Sequence, residues 1–461
     1  MKARSFARRW PVAVVLLLLA RPAIAQVTTG SILGTVRDAA GAEVPGAVVT
    51  ITEQGKGTST TYQTDPSGSY VAPFLIPGTY EISVDLQGFK KYLRRGVVLQ
   101  VNQRARVDVS LEIGTLTETT NVDALAPLVK EDSSDVGEVI EERAIKELPL
   151  NGRNFATLVY LTPGITPGQA GENLSGASTF NPRGASNFNA LGHHANSNAW
   201  LVDGIDNNEY TFNTVIVTPS VESVREFKVL AGTFSAEFGR GAGVVSVSTK
   251  SGNNDFHGTA FEYYRNDVWD ARNFFARPAP VPKPKLRRNQ YGAALSGPLK
   301  IPGFYDGRNR TFFFVDYSGL DETRGQVFVN TVPTARTRLG DFSDFRRPNG
   351  QLITIYDPLT TRLNPNYNPS LPVSSTNPRI IRDPFPGNII PANRLNPVGL
   401  KVASIYPLPN GPNPGSNFDN YTSTVDRKVN DDNFAIRVDH KAGEKDSFFA
   451  RWSWGSFKLD A

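Results

Sequence analysis

The stretch Ser447 to Trp454, SFFARWSW, sets Phe448, Ala450, Trp452 and Trp454 against Ser447, Phe449, Arg451 and Ser453. Side chains alternate across an extended chain with a period of two, so one face of this segment suits hydrocarbon and the other suits water. Asn433 to Asp439 (NFAIRVD) repeats the pattern, with Phe434, Ile436 and Val438 on one side and Ala435, Arg437 and Asp439 on the other. Upstream, Phe256 to Arg265 (FHGTAFEYYR) and the aromatic Arg310 to Tyr317 (RTFFFVDY) alternate likewise. Two architectures read this way: a half-buried sheet of a soluble protein, and a membrane barrel with lipid outside and a polar interior. Aromatic residues grouped near the strand ends favour the barrel, where they would form interfacial girdles. Between these strands, residues 361–420 hold 12 Pro and 11 Asn, a composition that cannot carry a sheet interior. They read as the centre of a long surface loop spanning about 341–430.

The composition agrees with a mainly β fold: 40 Gly, 33 Pro, 27 Phe and 15 Tyr favour strands joined by turns. The net charge of +5 invites a nucleic-acid reading. However, Lys2, Arg4, Arg8, Arg9 and Arg21 precede residue 26 with no acid among them, so the remainder is neutral by count and nucleic acid is not expected as a partner. Those five charges flank an apolar run, Val12 to Ala20, which is followed by the small-residue site Ala23-Ile24-Ala25. This is the pattern of a secretory signal peptide over 1–25, cleaved after Ala25, because nine apolar residues fall short of the roughly 20 that span a bilayer. Trp10-Pro11 after Arg8-Arg9 favours general secretion over twin-arginine export. An exported chain with no cysteine is held by its core and hydrogen-bond ladders alone.

Residues 27–113 read as about seven short strands, among them Ser31 to Val36, Ala47 to Glu53, Ser69 to Ala72, Gly78 to Val84 and Arg104 to Leu111. Turn signals such as Pro45-Gly46, Asp65-Pro66-Ser67-Gly68 and Pro77-Gly78 separate them. The spacing predicts a small antiparallel β-sandwich of prealbumin or immunoglobulin-like type. Its tyrosines Tyr62, Tyr70, Tyr80 and Tyr92 are expected in the core or turns rather than as a sugar platform. Residues 114–135 are polar and aperiodic and read as a linker. Residues 136–250 read as a compact α/β segment, with short helices at Glu141 to Glu147 and Phe155 to Leu161. Ser220 to Leu230 places Val221, Val224 and Phe227 at helical spacing before turning strand-like.

The stretches LGTVRDAAGAEVPGAVVTIT (33–52), PGTYEISVDLQGFKK (77–91), ELPLNGRNF (147–155), LVDGIDNNE (201–209), SVREFKVLAGTFSAEFGRGAGVVSVSTKSG (223–252) and RNDVWDARNFF (265–275) carry a resemblance. Together they resemble TonB-dependent receptors of the Oar-like type, which place a carboxypeptidase-regulatory-like domain ahead of the plug. The resemblance implies a periplasmic sandwich of carbohydrate-binding-like fold, a plug within an outer-membrane antiparallel β-barrel of about 22 strands, and uptake driven by the TonB-ExbB-ExbD complex. Such a barrel needs roughly 220 residues in strands alone, whereas 251–461 includes the long loop, so about six strands fit and the chain is expected to begin a barrel it does not complete. The resemblance also implies a TonB-interacting segment near the plug's amino terminus. Its best match is Glu118, Thr119, Thr120, Asn121, Val122, Asp123 and Ala124, which departs from the usual pattern at Thr120 and Asp123. Structural plug motifs are assigned to Asn151, Gly152 and Arg153, to Asp203 and Gly204, and to Glu237, Phe238, Gly239 and Arg240.

No catalytic residue, metal ligand or cofactor is assigned. A zinc peptidase needs His and acidic ligands at defined spacing, and His193, His194, His257 and His440 form no HExxH motif. Asp203, Asp206, Asn207, Asn208 and Glu209 are rich in oxygen but lack the spacing of a calcium loop, so a turn between plug strands is expected. Gly239, Gly241 and Gly243 lack the Lys-Ser/Thr of a phosphate loop and are expected to pack tightly in the plug. Arg153, Arg183 and Arg240 are expected to hold the plug to acidic residues of the barrel wall. Two functions compete: a transporter importing an oligosaccharide, peptide or metal complex across the outer membrane, and a non-transporting surface protein binding glycans or proteins.

Overall fold

A computed structural model describes residues 29–115, 119–123, 135–150, 152–168, 188–194, 197–209, 214–238, 241–272, 274, 282–411, 413, 416–444 and 446–460. The signal-peptide reading, together with Arg183, lies outside them. Contacts divide the chain into two compact units. The first takes in residues 1–262, 290–320 and 431–457, and the second 263–289, 321–430 and 458–461.

The first unit opens with eight strands: β1 (Gly30–Asp38), β2 (Val48–Glu53), β3 (Thr58–Gln63), β4 (Ser69–Leu75), β5 (Gly78–Asp85), β6 (Lys91–Leu99), β7 (Arg104–Arg106) and β8 (Val109–Leu111). A further strand, β9 (Thr119–Asp123), falls within the stretch read as linker. One sheet runs β4-β1-β7, with β8 also on β1, and the other runs β3-β2-β5-β6-β9. Alternate residues of both sheets meet in a core of Ile32, Val49, Ile51, Ile82, Val84 and Leu99. Tyr70, Tyr80 and Tyr92 join that core, and Tyr70 donates its hydroxyl proton to the Val107 carbonyl at 2.7 Å. Gly34 lies so close to the chain of Val107 that an added Cβ would stand 1.9 Å from its carbonyl oxygen.

The plug follows with β10 (Gly137–Glu141), α1 (Glu142–Glu147), a 3-10 helix over Phe155–Leu161, β11 (Ile165–Pro167), β12 (Phe188–Ala190), β13 (Ala199–Val202) and β14 (Ile205–Asp206). Next come β15 (Asn208–Glu209), β16 (Thr214–Val215), β17 (Val224–Ala231) and β18 (Gly243–Thr249). The central sheet has the order β10-β17-β18-β13-β14. The helical spacing read at Ser220 to Leu230 is corrected: residues 221–223 form a turn, and the segment continues as strand β17. Six consecutive residues of β17, Glu226 to Ala231, are buried. Val221 of the turn falls at i, i+3 and i+6 with Val224 and Phe227 of the strand, the spacing of a helix face, and the polar–apolar alternation that marks the strand runs only from Glu226 to Val229.

Five long strands form the remaining sheet, in the order β19 (His257–Asn266), β20 (Leu286–Pro298), β23 (Thr311–Asn330), β26 (Tyr421–Lys441) and β27 (Ser447–Asp460). The small hairpins β21 (Lys300–Ile301) with β22 (Tyr305–Asp306) and β24 (Arg362–Leu363) with β25 (Ile380–Ile381) stand apart from it. Neighbours in this sheet are successive long strands, the up-and-down order of a barrel wall. Among the described residues, five long strands occupy the region where about six were expected. Two of them, with 20 and 21 residues, would each extend about 65 Å at the usual rise, longer than the alternating segments read from sequence.

In β26 and β27 the burial is inverted relative to a soluble protein. Phe448, Trp452 and Trp454 are 63%, 57% and 48% exposed, while Arg437 and Asp439 are 4% and 5% exposed. Phe434 and Trp452 meet edge to face, 5.9 Å between centroids. A half-buried soluble sheet would turn the aromatic face inward, so this arrangement favours the membrane barrel of the two architectures.

In the second unit, the Pro- and Asn-rich stretch is organised by α2 (Ala335–Arg338), α3 (Pro397–Ile405) and the hairpin β24–β25. Asn side chains bind loop backbone: Asn388 Nδ2 donates to the carbonyls of Phe342 and Ile353 at 2.6 and 3.0 Å. Asn420, wholly buried, accepts from Val332 N at 2.8 Å and donates to Val332 O at 2.9 Å. Paired Arg–Asp contacts, Arg362 with Asp383 and Arg394 with Asp357, add forked bonds of 2.8 to 2.9 Å.

Candidate functional site

Strands β13 and β14 are joined by Asp203 and Gly204 alone, both with positive φ, +50° and +83°. Positive φ at both central residues defines the type I′ hairpin turn for which an Asp-Gly pair is suited. The turn presents the Asp203 carboxylate to β18, where Oδ1 accepts from Thr249 N at 2.9 Å and Oδ2 from Thr249 Oγ1 at 2.6 Å. From β26, Arg437 Nη1 donates to the same carboxylate at 3.1 Å, and from β27 Arg451 Nη1 stands 3.5 Å from it. Arg437 also forks onto Asp439 through Nε and Nη2, both at 3.0 Å, and lies over the Phe449 ring at 4.6 Å. Asp439 in turn accepts from Ser251 Oγ at 2.7 Å and lies 3.6 Å from Lys56 Nζ of the sandwich. The cluster satisfies the demand that buried charges be paired and hydrogen-bonded. It ties the sandwich, the plug and two sheet strands together within the first unit.

Of the three arginines expected to hold the plug to the wall, Arg153 alone lies among the described residues. Arg153, with φ +51°, pairs with Glu222 of the plug itself and stacks at 4.8 Å over Phe261 of β19. The sheet supplies the arginines, Arg437 and Arg451, and the plug supplies the acid, Asp203. The residue face carrying Arg437 and Asp439 was legible from alternation and Asp203 from its turn motif, but nothing in the sequence signals the pairing of residues 234 positions apart.

Gly152, beside Arg153, has φ +76°, and its carbonyl accepts from Gln290 Nε2 of β20 at 2.9 Å. Glu237 and Phe238 fall in a 3-10 turn, Ala236–Phe238, with Phe238 edge-on to Phe234 at 6.2 Å. Gly241 is packed so tightly that a Cβ would stand 1.9 Å from Ser197 O. Asn151, Gly239 and Arg240 lie outside the described residues. His193 lies in the turn after β12, its N–H donating to Ala190 O at 2.9 Å. Among the described residues no three His, Cys, Asp or Glu side chains gather as a metal site would require.

The sandwich meets the plug through the turn Gln100 to Gln103. Val101 N donates to a Glu226 carboxylate oxygen, Asn102 Nδ2 donates to Ser246 Oγ at 3.0 Å, and Lys228 Nζ donates to Asn102 O at 3.3 Å. Burial pushes the Glu226 carboxyl up to about 7, with Glu141 adding to that effect and Arg225 and the Val101 N–H opposing it. Of the segment 118–124, Thr119–Asp123 forms β9, paired in parallel with β6 from Lys91↔Thr119 to Arg95↔Asp123. Glu118 and Ala124 lie outside the described residues.

Three family models match the chain in succession: the carboxypeptidase regulatory-like domain over residues 31–112, the TonB-dependent receptor plug domain over 130–245, and an outer membrane beta barrel domain over 248–461. This order defines a plugged outer-membrane receptor with an amino-terminal sandwich. These three domains, in this order, are those that the resemblance to TonB-dependent receptors of the Oar-like type implied. It is 30% identical over 256 residues to the TonB-dependent transporter Oar of Myxococcus xanthus, a match covering 53% of this chain and 22% of that protein. Among solved structures, the outer membrane transporter YddB of Escherichia coli is 10% identical with a TM-score of 0.39, covering 70% of this chain and 33% of that one. The siderophore receptor PirA of Acinetobacter baumannii is 14% identical with a TM-score of 0.37, covering 72% and 33%. The chain thus spans about a fifth to a third of the length of these relatives.

Proposed function

We propose that this protein acts in energy-coupled uptake of a nutrient across the outer membrane, with the TonB-ExbB-ExbD complex as its power source and the segment 118–124 as its coupling strand. In this reading the sandwich lies in the periplasm after signal-peptide cleavage near Ala25, and the aromatic face of β19, β20, β23, β26 and β27 contacts outer-membrane lipid. The observation that carries it is the Asp203–Arg437–Asp439 cluster. A plug that must both seal a pore and move under load needs an attachment to the wall that is specific yet polar and breakable. The candidate cargo is an oligosaccharide, a peptide or a metal complex.

The competing reading is a surface protein that binds glycans or proteins without transport. Uptake of radiolabelled candidates in cells carrying the native gene separates the two. Accumulation that stops on deletion of residues 117–124 and on dissipation of the proton gradient supports the transporter. Surface binding unaffected by either treatment contradicts it.

A further inference from the structure

Within the second unit the charges of the long strands are sorted by face. Lys285 Nζ donates to Asp426 Oδ2 at 2.6 Å, and a Cβ at Gly325 would stand 3.0 Å from Lys285 Cβ and 3.5 Å from Asp426 Oδ1. Asn430 Nδ2 likewise donates to Asp321 Oδ1 between β26 and β23. These contacts mark one face and set Gly325 opposite Asp426. Successive side chains of a strand point to opposite faces, so Arg288, Glu322, Arg324 and Arg427 share the other. Arg288 Nε accordingly donates to Glu322 Oε2 at 2.5 Å. The same face of β20 carries Gln290, whose amide bonds the plug, so this is the inward face.

On that face arginines stand opposite arginines. The register that sets Gly325 opposite Asp426 sets Arg324 opposite Arg427. Asp267 N donates to Leu286 O at 2.7 Å, which sets Arg265 of β19 opposite Arg288. Directly opposed residues have Cβ atoms about 4.5–5.5 Å apart, and like charges at that spacing are destabilising. Arg288 is offset by Glu322, and Arg265 by Asp270 of the adjoining turn, whose Oδ2 accepts from Arg265 Nε at 3.1 Å. Arg324 is exposed, and among the described residues it has no ion pair or hydrogen bond. On the strands of this unit, Glu322 is the one carboxylate that shares the face with these arginines.

A wall that opposes guanidinium groups without a neutralising acid for each is arranged to receive an anion from outside the chain. Planar guanidinium forks bind carboxylate and phosphate oxygens in pairs. Further along the same face, Phe328 and Val425, each 44% exposed, offer apolar contact. We infer that this inward face is a cargo-binding surface, and that its ligand is a small molecule carrying several oxyanion groups, carboxylate or phosphate, on an apolar or ring-shaped body. The inference deepens the proposed transport reading and rests on it only in calling the ligand cargo.

The purified full chain in neutral detergent is titrated calorimetrically with trigalacturonate, myo-inositol hexakisphosphate and neutral maltotriose. Salt-sensitive binding of at least one anionic probe is expected, with the tighter of them naming the oxyanion, and none of maltotriose. Arg324→Gln with Arg427→Gln should weaken that binding about tenfold or more. Arg287→Gln with Lys428→Gln removes the same charge from exposed neighbours on the outward face of the same strands, and should change it less than about twofold. Arg324→Gln alone guards against misfolding: weaker binding with thermal stability unchanged or raised is expected, because it relieves a like-charge pair. Equal loss in both double variants, or no more affinity for either anion than for maltotriose, would overturn the inference. Anion binding that follows the predicted pattern, in cells that show no energy-dependent accumulation of the same probe, would support the site and count against the transporter reading alone.

Discussion

Arg437 and Asp203 show how much a single buried side chain decides. Arg437 is 4% exposed, and its guanidinium serves Asp203, Asp439, Thr249 and the face of Phe449 at once. Removing one partner of a buried ion pair leaves an uncompensated charge and costs about 3–5 kcal/mol. Arg437→Ala is therefore expected to loosen the plug from β26 and β27, seen as earlier thermal unfolding and faster proteolysis within 136–250. Arg437→Lys should recover little of this, because a point-charged ammonium cannot fork onto Asp439 while reaching Asp203. Unchanged stability in both variants would remove the cluster from the account. Glu226 carries a pH dependence. Its carboxyl is raised to about 7 mainly by burial, with Glu141 raising it and Arg225 and the Val101 N–H lowering it, while Lys228 and Asp135 stand beside the same turn. An acid whose value is raised in the folded state binds its proton more tightly there, so the contribution is largest below about 4.5 and declines as pH rises to about 7. Hydrogen exchange at Val101 and Asn102 should thus, after correction for the intrinsic rate, show greater protection at pH 5.5 than at pH 8. Glu226→Gln should abolish the difference, and a difference that persists would contradict the assignment.

At the scale of the element, strands with one buried face were legible and the others were not. Ser447 to Trp454 and Asn433 to Asp439 alternate cleanly, and both lie inside β27 and β26 with the faces read from sequence. The turn at Asp65 was legible for a local reason: its Oδ1 accepts from Ser67 N and Ser69 N, both at 2.9 Å, and Gly68 takes φ +69°. Strand β17 was misread because Val221 of the preceding turn completes an apparent helical spacing with Val224 and Phe227, while the strand's own alternation is limited to Glu226 to Val229. Strand β9 was hidden in a polar, aperiodic stretch because an edge strand held through main-chain bonds needs no apolar stripe. The 361–420 loop was legible as a loop, yet its order was not. The Asn residues read there only as strand breakers include Asn388 and Asn420, whose amides satisfy loop backbone in place of a ladder.

For the whole molecule, three successive modules were readable because each carries its own pattern: regular short strands and turns, a glycine-rich mixed segment, and long alternating strands. What joins them was not readable, since Lys56, Glu226, Asp203 and Arg437 find partners far away in sequence. The central claim is that the aromatic face of the five-stranded sheet meets lipid while its charged face is turned to the plug. Two full-length variants retaining a single tryptophan, Trp452 or the plug's Trp200 (2% exposed), test it in outer-membrane vesicles containing lipids brominated along the acyl chain. Strong bromine quenching of Trp452 fluorescence with little quenching of Trp200 is the predicted result. Trp452 quenched by aqueous acrylamide and untouched by brominated lipid would contradict it.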